Sequence, residues 1–176
     1  RGQAGREEEA QPFYVNAPYG IVLVHNGNLT NTRELSKELA ERDRRHLNTS
    51  SDTELLVNAL ASELQHSDPN HSFSAETAFS AVSALHQRVE GSYAAIALIA
   101  GQGVLAFRDP FGIRPLVLGK RKAGLLGDEW IIASESVVLE ASGYEIIRDI
   151  APGEAVFISR DGRLHHKQCS KNPRLV

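Results

Sequence analysis

The sequence has 176 residues, 41% of them hydrophobic and 23% charged, with a formal net charge of -3 and one cysteine, Cys169. This describes a single soluble globular domain long enough to bury a core, with no bulk attraction to nucleic acid or to an anionic membrane. One cysteine excludes an internal disulfide framework and a cysteine-based metal site. The sequence shows no signal peptide and no apolar run long enough to span a bilayer, so a reducing, cytoplasmic setting is expected.

In chain order, Arg1 to Glu9 is polar and reads as a loose terminus. Ile21 to Val24 is a β-branched run after a Pro-Tyr-Gly turn. It is expected as a buried strand that stops at the turn dipeptide Asn26-Gly27. Asn31 and Glu34 fit a capping box for a first helix with Leu35 and Leu39 on one face. Ser51 is expected to cap a second helix, with Glu54 reaching back and Leu55, Leu56, Ala59, Leu60 and Leu64 apolar. A third helix runs from about Ser74 to Val89. Tyr93 to Ile99 reads as a strand covered on both faces. Strands follow at Val104 to Phe107, Leu116 to Leu118, Trp130 to Ala133 and Ala155 to Ile158, with a short helix over Ser134 to Ala141. Asp161-Gly162 closes a final hairpin. One strand, then helices, then many strands is not the alternation of a doubly wound sheet. It fits an α+β fold of two stacked, largely antiparallel sheets with helices outside.

Three constellations carry candidate chemistry, each with a plain structural alternative. In His25-Asn26-Gly27-Asn28-Leu29, the Asn26 amide and a Gly27 backbone N–H make a pair of donors for a developing oxyanion; the alternative is a turn. Asp52, in Thr49-Ser50-Ser51-Asp52-Thr53-Glu54, is a carboxylate placed for a substrate ammonium, or else simply favours the helix dipole. Phe107 to Leu116 is either a ligand loop or a turn held by an internal ion pair. Other groups offer less. His165-His166 reads as a solvated hairpin strand without metal-ligand spacing. Cys169 reads as lying near a frayed end, with nothing to lower its pKa.

Taken in order, these motifs are more specific than any one of them. Glu9-Ala10-Gln11-Pro12-Phe13, His25-Asn26-Gly27-Asn28-Leu29-Thr30-Asn31, Thr49-Ser50-Ser51-Asp52, Phe107-Arg108-Asp109-Pro110, Gly112-Ile113-Arg114-Pro115-Leu116, Ala133-Ser134-Glu135-Ser136 and Pro152-Gly153-Glu154-Ala155 resemble the glutaminase domain of the amidophosphoribosyltransferase family. Those proteins are class II glutamine amidotransferases. The resemblance implies a four-layer α-β-β-α sandwich of the N-terminal nucleophile hydrolase type, here incomplete at its N-terminus. It divides the chain into a loose terminus (1–8), a partial glutaminase domain (9–172) and the start of a linker (173–176) to a phosphoribosyltransferase domain in cis.

It further implies that Asn26 (side chain) and Gly27 (backbone N–H) form the oxyanion hole and that Asp52 holds the α-amino group of glutamine. The nucleophile would be an N-terminal cysteine not present in these residues, which makes the isolated chain inactive. The family's carboxylate-binding arginine segment is likewise not found ahead of Gln11. Ammonia would pass to 5-phosphoribosyl 1-diphosphate, giving 5-phosphoribosylamine for purine synthesis. No metal or cofactor is expected in this domain, Mg is expected in the transferase domain, and an iron–sulfur cluster is left unspecified. The full-length protein is expected as a homo-oligomer that binds neither nucleic acid nor membrane. Two other readings stand beside this one: the glutaminase part of a sugar-phosphate amidotransferase, and a non-catalytic truncated paralogue.

Overall fold

The computed structural model describes residues 10–124 and 127–174; the loose terminus expected over 1–8 lies outside them. The elements are β1 (Phe13–Val15), β2 (Ile21–Leu29), α1 (Thr32–Glu41), α2 (Asp52–Ser67), α3 (Ala75–Arg88), β3 (Gly91–Ile99), β4 (Gly103–Arg108), β5 (Val117–Lys122), β6 (Asp128–Ala133), α4 (Ser136–Ala141), β7 (Glu145–Asp149), β8 (Glu154–Ser159) and β9 (Leu164–Gln168). They form two antiparallel sheets, one in the order β1-β2-β3-β4-β8-β9 and one in the order β6-β5-β7.

The period-2 alternation of strand side chains sorts the larger sheet into two faces. Ile21, Leu23, Tyr93, Ala95, Ala97, Leu105, Phe107 and Phe157 turn to one side, where they pack with Leu56, Leu60 and Leu64 of α2 and Phe79, Val82 and Leu85 of α3. Helix α2 is buried along nearly its whole length, because α1 and α3 cover the sides that the sheet leaves open. The other face, with Ala94, Ile96, Ala106 and Val156, packs against Leu116, Leu118, Ile132 and Ile150 of the smaller sheet. One residue past Leu118, Gly119 faces away from that interface. A Cβ there would lie 2.6 Å from Leu139 Cδ2 and 2.9 Å from Ile131 Cγ2, so α4 seats closely on the outer face. The layers are therefore α1–α3, large sheet, small sheet and α4, the expected four-layer sandwich.

The smaller sheet is an excursion between β4 and β8, tied at its base by the hydrogen bond from Gly153 N–H to Asp109 O (2.9 Å). Across the two sheets, Arg148 of β7 forks onto the buried Glu154 carboxylate of β8 with bonds of 2.7 and 2.6 Å.

Several sequence expectations need correction. β2 does not stop at Asn26-Gly27; it runs through both and stays paired with β3 as far as Gly91. β3 is not covered on both faces throughout, since Leu98 is 53% exposed where the three-stranded sheet does not reach. Asn31 precedes α1 without forming a capping box. Its side chain instead takes the Arg88 carbonyl and the Glu90 N–H, at 2.8 and 3.0 Å. β1 and β7 were not anticipated. Both are short edge strands paired on one side only, so neither shows a long apolar alternation.

Candidate active site

At the edge of β2 that faces away from β3, the odd-numbered residues present their backbone groups. On the β3 side, the flanking bonds run from Ala100 N–H to Gly20 O and from Thr30 N–H to Glu90 O. Alternation along an antiparallel strand therefore turns residues 25, 27 and 29 outward. Two of these have identified partners. His25 N–H donates to Gln11 Oε1 (2.6 Å) while Gln11 Nε2 donates to His25 O (2.8 Å), so one side chain continues the pairing that β1 begins. Leu29 N–H donates to Asp52 Oδ2 at 3.3 Å. The Gly27 N–H lies between them and faces the same edge.

Gly27 has to be glycine. Its φ is +153°, and a Cβ would sit 1.9 Å from Ser92 O on β3. The bare backbone lets the two strands close at this point. Asn26 projects from the opposite face to His25, toward the smaller sheet. There it borders a cavity of about 170 Å³ with Val24, Ala94, Ile96, Leu116 and Ser134.

Asp52 opens α2 and is buried. The two carboxylates of this first turn have different surroundings. Glu54 accepts from the N–H and side-chain amide of Asn48 and from the N–H and hydroxyl of Thr49, at 2.7 to 3.1 Å. Burial alone raises a carboxyl pKa, but these four donors outweigh it and hold Glu54 below its usual range. Glu54 thus ties down the approach to the helix rather than reaching back to Ser51. Ser51 accepts from Thr53 N–H at 3.3 Å, as a cap should. Asp52 is the carboxylate turned to β2.

His25 was legible only as part of a motif, and its role is positional. Its Nδ1 meets Thr53 Oγ1 at 2.9 Å and its Nε2 lies 3.8 Å from Asp52 Oδ2. Burial lowers its pKa and Asp52 opposes that shift, which keeps the ring neutral near pH 7. His25 thereby packs the first turn of α2 on β2, setting Asp52 two residues along the strand edge from Gly27.

The third constellation is structural and is not an internal ion pair. Arg108 donates to the carbonyls of Gly112, Arg114 and Ile150, and Asp109 accepts from the N–H groups of Tyr93, Phe111 and Ile113. Each charge is satisfied by backbone groups. Cys169 is not frayed: its N–H bonds Gly153 O and its side chain is buried. Burial pushes its thiol pKa up, the reverse of an activated nucleophile. His166 sits 3.3 Å from Glu154 Oε1 with its side chain exposed. Among the described residues, no group of three or more His, Cys, Asp and Glu side chains is placed to hold a metal ion. No described helix is long and apolar enough to cross a membrane.

Residues 3–141, which contain Asn26, Gly27 and Asp52, match the family model described as glutamine amidotransferase domain. The chain belongs to this family. As a glutamine amidotransferase domain it is 53% identical over 94% of its length to the amidophosphoribosyltransferase of Escherichia coli, covering 32% of that protein. To the amidophosphoribosyltransferase of Schizosaccharomyces pombe it is 52% identical over 95% of its length, covering 31%. The chain thus spans about a third of the length of these relatives. Among solved structures, it superposes on glutamine phosphoribosylpyrophosphate amidotransferase from B. subtilis complexed with ADP and GMP. The TM-score is 0.73, with 26% identity, 94% of this chain and 33% of that one covered.

Proposed function

We propose that this chain is the glutamine-hydrolysing part of an amidophosphoribosyltransferase. In this reading Asn26 and Gly27 are the oxyanion donors, and Asp52 receives the α-amino group of glutamine. The observation that carries the proposal is the edge of β2. There the strand pattern turns the Gly27 N–H outward between the Gln11-paired His25 and the Asp52-paired Leu29, with the Asn26 amide next in sequence. Attack on the carboxamide of glutamine places negative charge on its oxygen, and donors already fixed in position stabilise that charge without reorganising. The relatives' names support the purine branch over the sugar-phosphate one.

In this reading the nucleophile is a cysteine other than Cys169, which is buried behind α3. The 176-residue polypeptide by itself does not hydrolyse glutamine. Residues 9–172 form the glutaminase unit and 173–176 begin a linker. Ammonia passes to a phosphoribosyltransferase domain that binds Mg²⁺ and converts 5-phosphoribosyl 1-diphosphate to 5-phosphoribosylamine. The assembled protein is a cytoplasmic homo-oligomer.

The test is made in the full-length protein, by measuring glutamine-dependent and ammonia-dependent turnover of the Asn26→Gly and Asn26→Ala variants. Losing one oxyanion donor lowers the glutamine-dependent rate by about 10²–10³-fold, while the ammonia-dependent rate stays near wild type because free ammonia bypasses the hydrolysis. Asn26 lies within a strand and not in a turn, so both variants are expected to fold. Glutamine-dependent turnover near wild type in either variant removes Asn26 from the oxyanion hole.

A further inference from the structure

The cavity beside Asn26 is closed by a residue of the other sheet. Asn26 pairs with Ala94 across β2 and β3, and directly paired residues point to the same face. Its side chain therefore turns with Ala94 and Ile96 toward the smaller sheet. On that sheet Leu118 pairs with Ile132, and both face the larger sheet. Period-2 alternation turns Leu116, two residues before Leu118, and Ser134, two residues after Ile132, to the same side. The registers of two separate sheets thus bring Asn26 and Ser134 to one cavity of about 170 Å³. Val24, Ala94, Ile96 and Leu116 make most of its wall apolar. The His25 ring turns the other way, to Thr53 of α2. Among the described residues, Asn26 and Ser134 are therefore the polar side chains of this cavity.

No structural task accounts for Ser134. A serine just ahead of a helix is usually its cap, but the cap position of α4 falls on Glu135, and no side-chain cap bond forms there. Among the described residues, neither the Ser134 hydroxyl nor the Asn26 carboxamide has a hydrogen-bond partner. A half-buried hydroxyl in a mostly apolar wall costs desolvation unless it finds a use. Asn26 has a complementary need. The two ends of its carboxamide are nearly the same shape, yet only one of them serves an oxyanion. Nδ2 stabilises the developing charge, and Oδ1 in its place would repel it.

We infer that Ser134 is a positioning residue for the proposed oxyanion hole, its hydroxyl donating to Asn26 Oδ1 and so holding Nδ2 toward the carboxamide oxygen of glutamine. The inference rests on the reading of Asn26 as an oxyanion donor. The Ser134 O–H rotates freely, and once the charged oxygen takes Nδ2 its acceptor is Oδ1. That bond also polarises the amide and makes its N–H groups stronger donors. Both effects grow with the charge on the substrate oxygen, so they act on the transition state more than on bound glutamine. Ser134 does this without touching the substrate.

The experiment measures Ser134→Ala, Ser134→Thr and the double variant Ser134→Ala with Asn26→Gly in the full-length protein. Ser134→Ala should lower the glutamine-dependent kcat about tenfold, the effect of one ordinary hydrogen bond felt in the transition state. KM for glutamine should stay within about twofold, and ammonia-dependent turnover should stay near the parent's. Ser134→Thr keeps the hydroxyl, and the cavity has room for a methyl group, so it should restore most of the rate. In the Asn26→Gly background Ser134→Ala should change nothing further, because its partner is gone. A glutamine-dependent kcat near the parent's in Ser134→Ala overturns the inference, as does a change confined to KM, which would mean direct contact with glutamine. A parallel fall in the ammonia-dependent rate, no restoration by threonine, or an equal loss on top of Asn26→Gly overturns it too. An Asn26→Gly variant that itself keeps wild-type turnover overturns the reading of Asn26, whereas an impaired Asn26→Gly beside an unimpaired Ser134→Ala overturns this inference alone.

Discussion

At the scale of single residues, the position with least freedom is Gly27. Its φ of +153° disfavours side chains, and the missing Cβ is where the carbonyl of Ser92 lies. Gly27→Ala has to move β2 off β3 beside the proposed oxyanion donors. It should lose at least about 2 kcal/mol of stability from backbone strain together with overpacking. Gly101 provides the control. Its φ is +74° but nothing lies within 4 Å of its Cβ position, so Gly101→Ala should cost only the left-handed backbone preference, about 1 kcal/mol. Urea denaturation of both variants compares the two. Equal losses would show that the close approach of β2 to β3 does not constrain position 27.

At the scale of elements, the helices are joined to one another and to the sheet by buried polar groups as well as by leucines. Arg88, at the end of α3, bonds Glu63 of α2 and Asp43 after α1, at 2.5 and 2.6 Å, and lies 3.1 Å from Glu38 of α1. His86, in the last turn of α3 two residues before Arg88, meets Tyr93 of β3 through an Nδ1 to Oη contact of 2.7 Å, with the rings stacked at 5.9 Å. Burial lowers the His86 pKa to about 4, against the weaker upward pulls of the Gly153 carbonyl and Asp109. The sign of the pH dependence follows. Above pH 6.5 the ring is neutral in both the folded and unfolded chain, and its contribution is constant. As pH falls from 6.5 to about 4, the unfolded chain takes up the proton and the folded chain does not. Stability therefore drops, by up to about 3 kcal/mol over the interval. His86→Gln keeps a polar partner for Tyr93 but does not titrate. Urea midpoints at pH 7.5 and pH 4.5 should differ less for this variant than for the parent; equal differences would take His86 out of the acid response.

At the scale of the whole molecule, the decisive feature is that the small sheet is an excursion from the large one, anchored at its root. Arg108 is the main anchor. One guanidinium satisfies carbonyls of the loop leaving β4 and of Ile150, just before the chain re-enters the large sheet at β8. Arg108→Leu keeps the bulk and strands three carbonyls. An unsatisfied buried group costs about 1–3 kcal/mol, so at least about 3 kcal/mol should be lost. The loss should be uneven, because the helical layer packs on the other face of the large sheet. Native-state hydrogen exchange should accelerate in β5, β6 and β7 and stay near the parent's in the core of α2. Uniform acceleration would mean that the two layers unfold as one unit and that Arg108 is no local anchor.

Wherever the code was local and periodic, the sequence alone was sufficient. Leu35 and Leu39, the apolar run of α2, the capping serine of α2, and the Asp-Gly hairpin each follow from spacing or from a single turn chemistry. The order of one strand, helices and many strands pointed to stacked antiparallel sheets. The motifs around Asn26 and Asp52 likewise singled out the residues that the fold gathers at β2. Tertiary structure decided what those motifs physically are. Asn26-Gly27 is the commonest turn signal in sequence, yet here it lies inside a paired strand, and the glycine serves the close approach of Ser92 rather than a turn. The Arg108-Asp109 motif looked like an ion pair in sequence, but backbone groups satisfy each charge separately: carbonyls of the adjoining loop and of Ile150 for Arg108, and N–H groups of that loop and of Tyr93 for Asp109. The roles of Gln11 and His25 depend on which strand edge β1 leaves open and on where α2 begins, and no local pattern encodes either. Cys169 stood near the end of the chain, and only the packing of β9 under α3 made it a buried, inert thiol.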